Sequence, residues 1–560
     1  MGATDMITAS RLAAIRERRP VVMVDVLIWL LSIYITLALN QAFWLACVKA
    51  GVLEGMLGRV TAFSMGLIIT AANVMVLRVL CNRWTAKPVL VLFLIISLFV
   101  SFFSSRYGTY FDVGMARNIL ETDPSEAGQL MTRGLLLHVA QYGTAPLLLL
   151  LWVRIKRTSG LAALANGLIS FGAALALIVS AALFSFKDIS ALMRNHKELR
   201  HLIAPTNVIV SMGRVASRAI RGKDSPVRRV VGLDAKLDAH ERVQKPHVLV
   251  IVVGETVRGS SWGLNGYTRQ TTPQLAGMDV INYPDVNACG SSTEVSLPCM
   301  FSANGRANYD EHEIRNSESL LHVLERAGIE TTWRDNQGGC KGVCKDLPFE
   351  SVREKKNPDL CSSEGCQDGV LLAGLKEKIE NSIGDQVIVL HQMGNHGPSY
   401  YLRYPERLRK FIPDCRNPDL GECSQAEIVN AYDNAILATD EMVAQTIRLL
   451  QNLDSRDTAM IYVSDHGESL GEKNLYLHGM PYAIAPDTQL KVPMVAWISP
   501  GLAQWRGLDL QCVKANAARS TSHDNLFHSV LGLMQVTTGA YKPQLDLFGS
   551  CARSQQPLAP

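Results

Sequence analysis

Apolar residues crowd the first third of this 560-residue chain, and that unevenness limits its architecture more than any motif. Five stretches, near 22–44, 60–80, 88–103, 134–153 and 165–186, are long and apolar enough to cross a bilayer, which takes roughly 20 residues each. The third is short and opens at Pro88, and His138 and Gln141 dilute the fourth. No cleaved leader is expected, because the first apolar run is long and others follow it. Arg11, Arg16, Arg18 and Arg19 precede the first stretch, Arg83 and Lys87 follow the second, and Arg154, Lys156 and Arg157 follow the fourth. Such residues collect on the cytoplasmic side. The N-terminus is therefore expected inside, and everything beyond residue 190 outside. The expected organisation is a transmembrane domain with five helices over 1–190, a bridging helix and linker over 191–245, and a soluble domain over 246–560. The net charge of +4 is too small to imply a nucleic-acid partner.

Cysteine usage bears on that orientation independently. Ten of the 12 cysteines lie beyond residue 285, several as close pairs: Cys289/Cys299, Cys340/Cys344, Cys361/Cys366 and Cys415/Cys423. An even set of close pairs suits disulfides in an oxidising compartment. Zinc-ribbon use fits less well, because the spacings do not repeat as two CxxC halves. Cys512 and Cys551 could form a fifth pair.

From His247 the pattern alternates between strand and helix. Strands are expected at 248–253, 329–333, 386–391, 459–463 and 492–498, and helices at 316–327, 368–380 and 425–452. This predicts an α/β domain with a largely parallel sheet covered on both faces. Ligands in such folds bind beyond the carboxyl ends of the strands. Two apolar runs end in metal-ligand types: Val248–Val253 leads to Glu255, and Met460–Val463 leads to Asp465 and His466. Two carboxylates and an imidazole suit Zn²⁺, and Mn²⁺ less specifically.

A nucleophile for such a centre is sought in Cys289-Gly290-Ser291-Ser292-Thr293, with Ser296 slightly later. Residues 291–297 could open a helix whose free N–H groups face an anion. Ser291, Ser292 and Thr293 are not separable on this ground, and helix capping is the competing role for all three. His396 and His478, each followed by Gly, suit a substrate or second-metal site, though a loop histidine is more often an ordinary surface residue. Lys341 could neutralise a phosphate. Asn118, Thr122 and Glu126, at i, i+4 and i+8, share one helix face. They form either a solvated loop helix or a headgroup-binding surface.

Several ordered motifs resemble the membrane-bound phosphoethanolamine transferases. They are Gly254-Glu255-Thr256-Val257-Arg258, Leu264-Asn265-Gly266-Tyr267-Thr268-Arg269-Gln270-Thr271-Thr272-Pro273, Cys289-Gly290-Ser291-Ser292-Thr293 and Ser296-Leu297-Pro298-Cys299-Met300-Phe301. Trp333-Arg334-Asp335-Asn336, His391 through Pro398, and Ser464 through Glu472 extend the likeness. It covers nearly the whole chain and is strongest to the lipid A subgroup, which includes the mobile colistin-resistance enzymes. The resemblance implies five membrane helices and a periplasmic sulfatase/alkaline-phosphatase-like αβα sandwich, in the bacterial inner membrane. It implies Thr293 as nucleophile, Glu255, Asp465 and His466 as Zn²⁺ ligands, and the Thr293 oxygen as the fourth donor. It implies that His396 and His478 bind substrate or a second zinc, that Lys341 lies near the phosphoethanolamine, and that Asn118, Thr122 and Glu126 form a lipid-binding face. Gln337 departs from the Asn of some relatives, which puts only fine positioning in doubt.

The implied reaction moves phosphoethanolamine from phosphatidylethanolamine to Thr293 and then to a lipid A phosphate. The added ethanolamine cation would weaken the surface's attraction for cationic peptides such as polymyxins. A monomer is expected. The rival enzymatic readings are phosphoethanolamine or phosphoglycerol transfer to another envelope glycan such as inner-core lipopolysaccharide, and phosphatase or sulfatase chemistry. A sulfatase needs a C/S-x-P-x-R motif, which residues 289–300 lack. A non-catalytic lipid sensor on a retired enzyme fold is the remaining alternative.

Overall fold

The computed structural model describes residues 19–51, 53–122, 124–222, 228–237, 245–353, 357, 359–362 and 365–552. The chain divides into two compact units. One comprises Met1–Ala116 with Met131–Val215, the other Arg117–Leu130 with Ala216–Pro560.

The first unit is helical. Gly55–Leu80, Ala86–Tyr107, Arg133–Trp152 and Gly160–Phe184 are each long and apolar enough to cross a membrane. The first apolar stretch is not one continuous helix as expected. It breaks into Val24–Ala38 and Gln41–Lys49, bent by 46°, and counts as a fifth span only if the pair is taken together. The break falls at Asn40, whose buried amide substitutes for helix bonds. It donates to Ile35 O (2.9 Å) and Ala204 O (3.1 Å) and accepts from Ala204 N (2.7 Å). The third span is longer than expected because Pro88 lies in its first turn, where a missing N–H breaks no helix bond. Thr132 and Ser159 cap the last two spans by accepting from Leu135 N and Ala162 N.

The second unit is built on an eight-stranded sheet. In chain order its strands are β1 His247–Gly254, β2 Ile281–Asn287, β3 Glu330–Asp335, β4 Phe349–Ser351, β5 Gln386–His391, β6 Asp457–Ser464, β7 Lys491–Ile498 and β8 Thr521–Ser522. The spatial order is β8-β2-β7-β6-β1-β5-β3-β4. Only β7 opposes the common direction. β1 is buried along its whole length, as a central strand covered on both faces must be. Helix Gln425–Gln451 packs on the sheet behind a capping box in which Ser424 and Glu427 satisfy each other's backbone N–H groups.

Two departures from the pattern have local causes. β2 was not anticipated; it carries Pro284, a residue that interior strands seldom hold. The pairing register shifts between Val492/Met494, opposite Pro284, and that bulge accommodates the proline. The helix expected over 368–380 divides into Asp368–Leu372 and Leu375–Asn381, with Gly374 left-handed (φ 68°) between them.

All ten cysteines beyond residue 285 are paired, as Cys289–Cys299, Cys340–Cys344, Cys361–Cys366, Cys415–Cys423 and Cys512–Cys551. Cys47 and Cys81, in the helical unit, are free and buried.

Candidate metal centre

β1 and β6 are adjacent parallel strands paired Val463 to Val253 and Ser464 to Gly254, so Glu255 and Asp465 leave the sheet side by side. Asp465 N donates to Gly254 O (2.9 Å), which locks the two strand ends together. Thr256 N and His466 N both donate to Asp465 Oδ1, at 3.1 and 2.7 Å. Thr256 adopts a left-handed backbone (φ 54°), a strain that redirects the chain immediately after Glu255. Gly394 packs so closely behind that a Cβ there would lie 2.7 Å from Glu255 O, which explains the glycine.

The three side chains are fully buried and form a cluster whose donor atoms all lie within 4.8 Å of one another. His466 Nε2 is 3.3 Å from Glu255 Oε1 and 3.4 Å from Asp465 Oδ2. Donors about 2.0–2.2 Å from a tetrahedral Zn²⁺ are separated by about 3.3–3.6 Å, so the spacing fits. Glu255 Oε1 and Asp465 Oδ2 are buried with no hydrogen-bond partner, a state that calls for a cation. His466 Nδ1 donates to Gly467 O (2.9 Å), which leaves Nε2 as the lone-pair donor. Burial, and then the Asp465 carboxylate, push the Glu255 carboxyl up to about 8. Burial alone would raise Asp465 as well, but His466 and the Thr256 N–H hold it below the ordinary range.

Thr293 completes the group. It opens helix Thr293–Met300, and its hydroxyl donates to Glu255 Oε2 (2.9 Å) and lies 3.2 Å from His466 Nε2. The neighbouring hydroxyls are engaged elsewhere or differently. Ser291 donates to Met480 O (2.5 Å), Ser296 donates to Asp465 O (2.5 Å), and Ser292 makes no capping bond from its N-cap position. His523 clamps this turn to the strand end. Its Nδ1 accepts from Cys289 N (3.0 Å) while Nε2 donates to Ser464 O (2.9 Å). Burial pushes His523 down to about 4, so it serves as a neutral bridge.

A polar cleft opens above Thr293. Asn118, Thr122, Gln337, Lys341, His396 and His478 all line it. The rings of His396 and His478 are 5.7 Å apart, and His478 is 4.4 Å from His466. His478 Nδ1 faces Glu468 Oε2 at 3.1 Å, which orients the ring. The backbone of Leu477, just before it, is left-handed (φ 62°). The Thr122 hydroxyl donates to Asn118 O (2.6 Å), so it presents only its acceptor lone pairs. The helix Pro124–Gln129 carries Glu126, whose side chain lies outside the described residues.

A family model for phosphoethanolamine transferase EptA/EptB matches residues 69–220, and a sulfatase model matches 247–536. The chain is 38% identical over 539 residues to phosphoethanolamine transferase EptA of Escherichia coli (strain K12), covering 94% of this chain and 97% of that one. The chain belongs to the EptA phosphoethanolamine transferase family. Within it, phosphatidylethanolamine transferase Mcr-1 of Escherichia coli is 36% identical, over 92% of this chain and 96% of its own. The structure also resembles the integral membrane lipooligosaccharide phosphoethanolamine transferase A from Neisseria meningitidis. The TM-score is 0.90 at 36% identity, covering 96% of this chain and all of that one.

Several residues of this EptA-family cleft have contacts that the sequence did not announce. Gln337 donates to Glu255 Oε2 (2.8 Å), so it orients a candidate metal ligand. Glu468 faces His478, His523 bridges the Cys289 turn and the end of β6, and Arg353 and Arg403 line the cleft. The only available signal for Glu468 was its place two residues after His466. Nothing marked His523, which arrives from a segment with no motif.

Proposed function

We propose that this EptA-family transferase moves phosphoethanolamine from phosphatidylethanolamine to a phosphate of lipid A, through a phosphoethanolamine ester of Thr293 at a Zn²⁺ centre. Residues 1–190 form the inner-membrane domain, 191–245 the bridge, and 246–560 the periplasmic catalytic domain. The five disulfides support an oxidising location for the last of these. The observation that carries the reading is a buried threonine hydroxyl within hydrogen-bond reach of Glu255 and His466, beside two carboxylate oxygens that lack partners.

Glu255, Asp465 and His466 would hold the cation, with Thr293 Oγ1 as the fourth donor. When bound, Zn²⁺ supplies Lewis acidity that favours a deprotonated hydroxyl and offsets phosphoryl charge at neutral pH. The residues do the rest. Glu255 Oε2 accepts the Thr293 hydroxyl's hydrogen bond (2.9 Å) and is placed to take its proton. Thr293 Oγ1 bonds to phosphorus as the phosphorus–oxygen bond to diacylglycerol breaks, and diacylglycerol leaves with a proton. A lipid A phosphate oxygen then bonds to the same phosphorus as the Thr293–phosphorus bond breaks, and the proton released by that acceptor phosphate restores the Thr293 hydroxyl. Lys341, His396 and His478 bind the phosphoryl groups, and Asn118, Thr122 and Glu126 receive the lipid headgroup.

The test is expression in a host lacking such enzymes, followed by mass spectrometry of its lipid A. A mass increase of one phosphoethanolamine unit is expected. Unmodified lipid A, with the unit on another glycan, would reassign the acceptor.

A further inference from the structure

Lys341 is held unusually for a cation that serves a phosphate. Its backbone is left-handed (φ 48°) within the loop closed by the Cys340–Cys344 disulfide, a conformation most residues avoid unless the surroundings impose it. Its ammonium lies 3.9 Å from Glu294 Oε2 and 4.0 Å from Glu121 Oε2. Both distances exceed hydrogen-bond length, so the charge is shared between two carboxylates without closing on either. Glu294 is only 2% exposed. Arg315 holds its Oε1 and its carbonyl oxygen, while Oε2 has no hydrogen-bond partner. A buried carboxylate oxygen without a donor is unfavourable unless something else fills the need. Glu294 directly follows Thr293, and both line the same cleft as Glu121.

We propose that Glu294 and Glu121 form the subsite for the primary ammonium of the donor headgroup, and that Lys341 occupies it until substrate arrives. The assignment rests on phosphatidylethanolamine being the donor, as proposed above. Lysine and ethanolamine end in the same group, a primary ammonium with three N–H donors. In phosphoethanolamine only two carbons and one oxygen separate that nitrogen from phosphorus. An ammonium seated at Glu294 therefore keeps the phosphorus near the adjacent Thr293. The incoming phosphate offers Lys341 a second anion, so one ammonium leaves the carboxylate pair as the other enters it. Charge in the cleft stays balanced through the exchange. The sequence motifs draw attention to neither Glu294 nor Glu121.

The experiment compares diacylglycerol release from phosphatidylethanolamine and from phosphatidylpropanol, whose terminal methyl replaces the ammonium at equal chain length. The protein is the full-length, zinc-loaded enzyme. Wild type is expected to prefer phosphatidylethanolamine. Glu294→Gln should cut that preference about tenfold or more, mainly through KM, as for loss of a charged hydrogen-bond partner. Glu121→Gln, at a more exposed position that tolerates change, should cut it about threefold. An unchanged preference in both variants overturns the subsite. So do equal losses on both donors, which a structural role through Arg315 would produce. A wild type that releases diacylglycerol from both donors without preference overturns this subsite alone. One that releases none from phosphatidylethanolamine overturns the donor reading and the subsite with it.

Discussion

At the end of the site proposed to hold the cation, Glu255, Asp465 and His466 are fully buried just beyond two neighbouring strands whose register fixes them together. At the cleft end, Asn118 stands on a short helix that ends at Glu121, with Thr122 just beyond it, and Lys341 stands on a disulfide-closed loop; the side chain of Glu121 is 39% exposed. Asn118, Thr122 and Glu126 therefore do not share the one continuous helix expected. The first end draws its rigidity from the core: Val248 through Val253 are each inaccessible to solvent. Fully burying side chains of this kind contributes about 1.5–3 kcal/mol each. At the second end the Lys341 loop is anchored in that core by Val343 and Cys344, but Asn118 and Thr122 are half-buried. Rigid strand ends suit chemistry that tolerates little displacement, and loops suit the selection of substrate. The contrast teaches that loss of turnover and loss of selectivity should separate by region.

The largest effect should come from the cation end. Thr293→Ala is expected to lower transfer by about a thousandfold or more while leaving bound zinc measurable, with lipid A modification as the assay. Asp465→Ala or His466→Ala should abolish stoichiometric zinc, read by elemental analysis, and chelation of the wild type should be reversed by added Zn²⁺. Retention of full zinc by either variant would break the assignment of that end. At the cleft end, Lys341→Ala is expected to reduce kcat/KM by about 10- to 100-fold with zinc content unchanged. Loss of zinc in that variant would erase the distinction between the two ends.

The smallest effect concerns pH and stability. His523 and His528 are buried and held down to about 4, by burial first in both cases, against about 6.5 in an unfolded chain. The unfolded state therefore binds more protons between these values. The stability gained from keeping them neutral is present above pH 6.5 and is lost as pH falls toward 4. His528 Nδ1 accepts from Lys542 N (3.1 Å). His528→Gln should flatten part of the fall in Tm between pH 7 and 5 without altering turnover at pH 7.

The cation end was legible in the sequence because strand periodicity announces itself. A continuous apolar run followed by Glu255, and another followed by Asp465-His466, predicts adjacent ligands wherever the two strands are parallel neighbours. The choice of Thr293 was not legible from its own neighbourhood. Ser291 and Ser292 carry the same hydroxyl, and the three are separated only by their contacts in the fold: Thr293 meets Glu255 and His466, while Ser291 donates to Met480 O. Glu294, Glu468 and His523 were missed because their roles depend on which loop meets which, a property with no local period. β2 was missed; its Pro284 is tolerated because the register shift in its pairing with β7 accommodates it. The break at Asn40 went unseen because its partner, Ala204, is remote in sequence.

The account stands on Thr293 carrying the transferred group. The direct test is peptide mass spectrometry of the full-length enzyme quenched during turnover with phosphatidylethanolamine. The account predicts one phosphoethanolamine unit on the peptide containing Thr293, localised to that hydroxyl and absent from Thr293→Ala. Modification of lipid A at full rate with no adduct on Thr293, or with the adduct on another residue, would contradict it.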